Sequence, residues 1–77
     1  MAEEKRLRIT LEAARVNAGF TQKMAAEKAN ISEYTLSNYE RGRTSPGAKT
    51  LAKLLEIYQV SYDDIIFLNS DYGLTEQ

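Results

Sequence analysis

Apolar side chains recur at helical spacing along most of the chain, and polar caps and glycines mark where each repeat starts and stops. Leu11, Ala14 and Ala18 form one stripe behind Thr10, a residue type that caps helix starts, and Gly19 follows where a left-handed residue ends a helix. This predicts a first helix over 11–18. Thr21 caps a second, QKMAAEKA, whose apolar positions Ala25, Ala26 and Ala29 are all small and so admit close approach of another helix. Ser32 caps a third, EYTLSNYER, with Gly42 just past its end. The stretch RGRTSPG reads as a loop, and Leu51, Leu54, Leu55 and Tyr58 define a fourth helix, AKTLAKLLEIY. Ser61 and Asp64 have capping-box spacing, so Ile65, Ile66 and Leu68 are assigned to a short fifth helix. No segment reads as a strand, because β-branched residues are scattered and the dense patch IIFL directly follows a cap. The predicted fold is all-α, a compact five-helix unit over 1–68 with a C-terminal tail over 69–77.

Composition narrows the chemistry. Seventy-seven residues with no Cys and no His lack a disulfide framework, the soft ligands of a structural zinc site and the commonest general base. Asp63 and Asp64 are adjacent at a helix start, where the helix dipole accounts for negative charge. No metal, cofactor, small-molecule ligand or catalytic activity is therefore expected. Apolar runs are only a few residues long and the N-terminus carries no signal-like stretch, which points to a cytoplasmic chain with no membrane association. The net charge of −1 argues against a nucleic-acid partner until it is resolved along the chain. Residues 1–53 hold ten bases against six acids, a balance of +4, whereas 54–77 hold five acids and no base.

In the second and third predicted helices, Ala26 permits a tight crossing, Asn30 is suited to positive φ at the turn, and Ile31, Leu36 and Tyr39 seal the pair. The run GFTQKMAAEKANISEYTLSNYERGRTSP, continued by TLAKLLEIYQVSYDDI, resembles the Cro and phage-repressor helix-turn-helix family over about residues 7–68. Three positions depart from the family pattern: Ala25 replaces a usual Leu, Asn30 a usual Gly, and Tyr34 is bulky for its place. The resemblance implies a lambda-repressor-like domain that binds a pseudo-palindromic operator in double-stranded DNA as a homodimer, with half-site centres about 34 Å apart.

A helical wheel over the recognition segment 33–41 turns Leu36, Tyr39 and Glu40 inward and Tyr34, Ser37, Asn38 and Arg41 outward. Glu33, Tyr34 and Asn38 are the candidates for base edges, with Thr35 secondary. Asn38 can bind adenine bidentately, Glu33 can accept from cytosine N4, and Tyr34 can lie on a thymine methyl. Phosphate contacts are assigned to Gln22, Arg41 and Arg43, with hydroxyls from Thr21, Ser37, Thr44 and Ser45. Gln22 stands at a helix start, where free N–H groups favour a phosphate, and the family uses a matching Gln in that way. Lys5, Arg6 and Arg8 form a separate basic cluster. The family also pairs Arg and Glu at positions matching Arg15 and Glu40, implying a structural salt bridge. Ile66, Phe67, Tyr72 and Leu74 exceed what a small core absorbs and are assigned, with the fifth helix and tail, to the dimer surface. A transcriptional repressor or regulator of phage or prophage type results. The alternative is a protein-interaction module, such as an antitoxin or controller protein, that uses the acidic C-terminal part.

Overall fold

A computed structural model describes residues 8–67. The order is β1 (Ile9–Thr10), α1 (Leu11–Asn17), α2 (Gln22–Ala29), α3 (Glu33–Glu40), α4 (Ala48–Tyr58), a 3-10 turn (Tyr62–Asp64) and β2 (Ile65–Ile66). Three helix starts are closed by the hydroxyls that the sequence offers. Thr10 Oγ1 accepts from Ala13 N, Thr21 Oγ1 from Met24 N and Ser32 Oγ from Thr35 N, each at 3.0 Å. Each bond satisfies one of the amides that a helix start leaves without a partner.

The four helices of the described residues all end in one closure, in which a residue one or two positions past the end is left-handed and two amides fold back on the last turn. The left-handed positions are Gly19, Asn30, Gly42 and Gln59. The outer amide of each closure reaches back five residues: Phe20 N to Arg15 O, Ile31 N to Ala26 O, Arg43 N to Asn38 O, and Val60 N to Leu55 O. In three of the four, the residue donating that bond is apolar, and Phe20, Ile31 and Val60 pack against the core. Gln59, at φ 58°, holds a conformation that costs a residue with a Cβ roughly 1–2 kcal/mol. Gln59→Gly removes that strain and adds unfolded-state freedom worth about 0.4–1 kcal/mol. A net gain of about 0.5 kcal/mol is expected, read as a rise of roughly 2–4 °C in Tm.

The core sits where α2 packs on α3 and α4. Ala25, Ala26 and Ala29 line the inner face of α2, and the fully buried Leu36 of α3 and Leu54 of α4 join them in one cluster with Leu11, Ala14, Tyr58 and Ile65. Methyl groups on α2 let its neighbours approach closely, so two leucines fill a layer that larger residues on α2 would overpack.

The fifth helix is not formed. Ser61 N donates to the Asp64 carboxylate at 3.1 Å and Asp64 N returns to Ser61 O at 2.9 Å, but this start yields only the 3-10 turn. Ile65 is then extended (φ −98°, ψ 133°), and β2 pairs in parallel with β1 in the register Ile9↔Ile65 and Thr10↔Ile66. Two consecutive β-branched residues favour that conformation, and the pairing buries Ile65 in the core while leaving Ile66 exposed. The mostly helical architecture is as expected, and the five-helix expectation is corrected: the described residues form four helices, clasped by a short parallel pair. Leu68 and the tail over 69–77, with Tyr72 and Leu74, lie outside the described residues, as do Lys5 and Arg6.

Candidate nucleic-acid interface

The outer face of α3 is positioned from below. Leu36 and Glu40 are buried and Tyr39 half-buried, which fixes the rotation of the helix and turns Glu33 and Tyr34 out; Tyr34 is 75% exposed. Ser37 and Asn38 are half-buried beside that face. Thr35 is half-buried too, and its Oγ1 accepts from Ser32 Oγ at 2.9 Å, which ties its hydroxyl to the cap. The base-edge candidates Glu33, Tyr34 and Asn38 thus share one side of α3, while Thr35 is held to the helix start.

At the other end of α3, Gly42 (φ 75°) is the left-handed residue of the terminal closure, and Asn38 O accepts from Arg43 N at 2.9 Å. The position that is apolar and core-packed in the other three closures is Arg43 here, and it is exposed, as are Arg41 and Thr44. A device that normally pulls a hydrophobic residue onto the core instead presents two guanidinium groups at the end of the exposed helix.

Beneath the helix lies a polar cluster. Arg15 Nε donates to Glu40 Oε2 at 2.8 Å and Nη2 to Oε1 at 3.3 Å, while Nη1 donates to Phe20 O at 2.9 Å. The Glu40 side chain is 2% exposed. The hydrogen bond to Glu40 raises the proton affinity of the guanidinium above its ordinary value, with desolvation opposing it. Gln22, the first residue of α2, donates from Nε2 to Glu40 Oε1 at 2.9 Å. The phosphate assignment of Gln22 therefore has to accommodate an amide already engaged from inside the domain. Neither the periodicity nor the family pattern signals this bond, because it joins two helices through side chains 18 positions apart. Thr21 Oγ1 accepts within its cap and keeps its own proton for an outside acceptor.

Tyr58 is buried beside this cluster, and its hydroxyl has no hydrogen-bond partner among the described residues. Burial, reinforced by the charge of Glu40 and opposed by that of Arg15, pushes the phenol up to about 12. Because the folded value lies above the unfolded value near 10, stability is unaffected below pH 10 and falls as pH rises from about 10 to about 12. Tyr58→Phe should flatten that alkaline fall and change neutral-pH stability by less than about 1 kcal/mol, since no hydrogen bond is lost. Denaturant midpoints at pH 7 and pH 11 read both effects.

A family model described as helix-turn-helix matches residues 11–65, the span from α1 to β2. The chain belongs to the helix-turn-helix family. The HTH-type transcriptional regulator ImmR of Bacillus subtilis (strain 168) is 52% identical over 56 residues, which is 73% of this chain and 44% of that relative. The chain thus spans less than half the length of the relative it matches. Within this helix-turn-helix, α2 and α3 are the paired helices, Asn30 is the left-handed residue of the turn (φ 62°), and α3 is the exposed second helix. No helix among the described residues is long and apolar enough to cross a membrane.

Proposed function

We propose that the chain binds double-stranded DNA sequence-specifically as a transcriptional regulator, a repressor of phage or prophage type, with α3 in the major groove. The observation that carries this reading is the exposed face of α3, bearing Glu33 and Tyr34 with the half-buried Asn38 beside them, ended by the exposed Arg41 and Arg43 and set in a helix-turn-helix. The name of the relative, a transcriptional regulator, supports the same role. In this reading Glu33, Tyr34, Asn38 and, less directly, Thr35 read base edges. Thr21, Gln22, Ser37, Arg41, Arg43 and Thr44 hold phosphates. A homodimer on a pseudo-palindromic operator is proposed, formed through the segment that begins at the 3-10 turn, where Tyr62 and, in β2, Ile66 are exposed.

Selection of duplexes from random DNA at two salt concentrations tests this directly. A two-fold symmetric motif is expected, with affinity falling steeply as salt rises. Arg43→Ala should leave the motif unchanged and reduce the slope of log K against log salt by about one, as loss of one phosphate contact requires. Asn38→Ala should relax the motif at one position of each half-site, with a loss of about 1–3 kcal/mol. Absence of enrichment at low salt would instead favour a module whose partner is another protein, bound through the acidic segment after residue 53.

A further inference from the structure

We propose that Glu40 is a positioning residue for DNA binding, whose carboxylate fixes the amide of Gln22 so that an N–H, and not the carbonyl oxygen, is offered to a backbone phosphate. The proposal rests on the DNA-binding reading above. A carboxylate only accepts hydrogen bonds, so the 2.9 Å contact with Glu40 Oε1 requires the NH2 end of the Gln22 amide. The same carboxylate is gripped by Arg15 Nε and Nη2, and Arg15 is itself tied to the Phe20 carbonyl, one residue before the Thr21 cap. The chain Phe20–Arg15–Glu40–Gln22 therefore anchors the amide to a buried, doubly bonded group. One N–H of Gln22 is spent on Glu40, and the second makes no hydrogen bond among the described residues. It diverges from the first within the amide plane, at the start of α2, where backbone amides and the helix dipole favour a phosphate.

A glutamine without this anchor presents oxygen or nitrogen to its surroundings with little preference, and its oxygen repels a phosphate. The expected consequence is a loss of about tenfold in affinity when either the amide or its anchor is removed, the size of one hydrogen bond to a charged acceptor. Because the amide is neutral and displaces no counterion, the salt slope should stay unchanged, unlike that of Arg43→Ala.

The test compares the wild-type chain, Gln22→Ala, the double variant Arg15→Met/Glu40→Leu, and the triple variant, against a short mixed-sequence duplex at low salt. The double variant replaces the ion pair with apolar groups of similar volume and so avoids a stranded charge; circular dichroism melts report its folding. If Glu40 acts through Gln22, the single and double variants each lose about tenfold and the triple loses no more than either. If Gln22→Ala weakens binding but the double variant binds as wild type does, the positioning role is overturned while the phosphate contact stands. If Gln22→Ala binds as wild type, both the contact and the positioning role fall, and a wild type that binds no duplex overturns the whole reading. Should the double variant not fold, the side-chain amide of Gln22 in labelled wild type decides. One of its protons should be shifted downfield in the free protein and the other on adding duplex. Two protons at ordinary positions that ignore the duplex would overturn the proposal.

Discussion

Glu40→Ala is expected to lower stability by about 3–5 kcal/mol, because it leaves the guanidinium of Arg15 buried without its carboxylate. Arg15 is buried, and removing Glu40 leaves it, among the described residues, only the Phe20 carbonyl and a 3.8 Å approach to the exposed Glu12. Gln22 loses its acceptor in the same step. A core of this size rarely supplies more than about 3–5 kcal/mol, so most of the variant should be unfolded at room temperature. Urea titration followed by circular dichroism measures this. DNA affinity should fall only in proportion to the unfolded fraction and the lost Gln22 anchor. A variant with wild-type melting and weakened binding would show that the pair contributes nothing to the fold. The double variant Arg15→Met/Glu40→Leu should recover much of the loss, since apolar replacement of a buried pair is often neutral or stabilising.

Leu36→Ala is the second large effect, about 2–5 kcal/mol from lost burial and the cavity left behind. Leu36 is fully buried in the cluster that includes three alanines of α2, whose methyl groups are too short to fill the void. The loss therefore belongs near the upper end of that range. It should appear as a lower denaturant midpoint with an unchanged slope. At saturating stability conditions, such as low temperature or added osmolyte, the folded fraction should still read the same DNA motif. A changed motif would mean that Leu36 sets the rotation of α3, not merely its attachment.

Local rules made the helices legible. Thr10, Thr21 and Ser32 each sit before a helical repeat and each accepts the amide three residues on. Gly19, Asn30 and Gly42 stand where left-handed backbone closes a helix, and few residue types tolerate that position. Gln59 is not legible in this way because glutamine carries no such preference, and it is held there by the amides that fold back on Glu56 and Leu55 and by the packing of Val60 against the core. The β pair escaped for a different reason. Ile65 and Ile66 follow an apparent capping box, and the partner that makes them extended lies at Ile9 and Thr10, beyond the reach of any local pattern. The inward and outward sides of α3 followed from a wheel, but the engagement of Gln22 with Glu40 did not, since periodicity places residues on faces and says nothing of side-chain bonds between helices.

The pairing of β1 with β2 also bears on the order in which the domain assembles. It joins positions 9 and 65, so the loop it closes is almost the whole described chain, whereas the α2–α3 crossing closes over a short turn. Loop-closure entropy rises with the logarithm of length and must be met before a distant contact is rewarded. The clasp should therefore shut after the rate-limiting barrier, with the helix-turn-helix already packed. In native-state hydrogen exchange it would open as a separate low-energy unit. The DNA-facing helices would then keep their protection while the two ends of the described chain part.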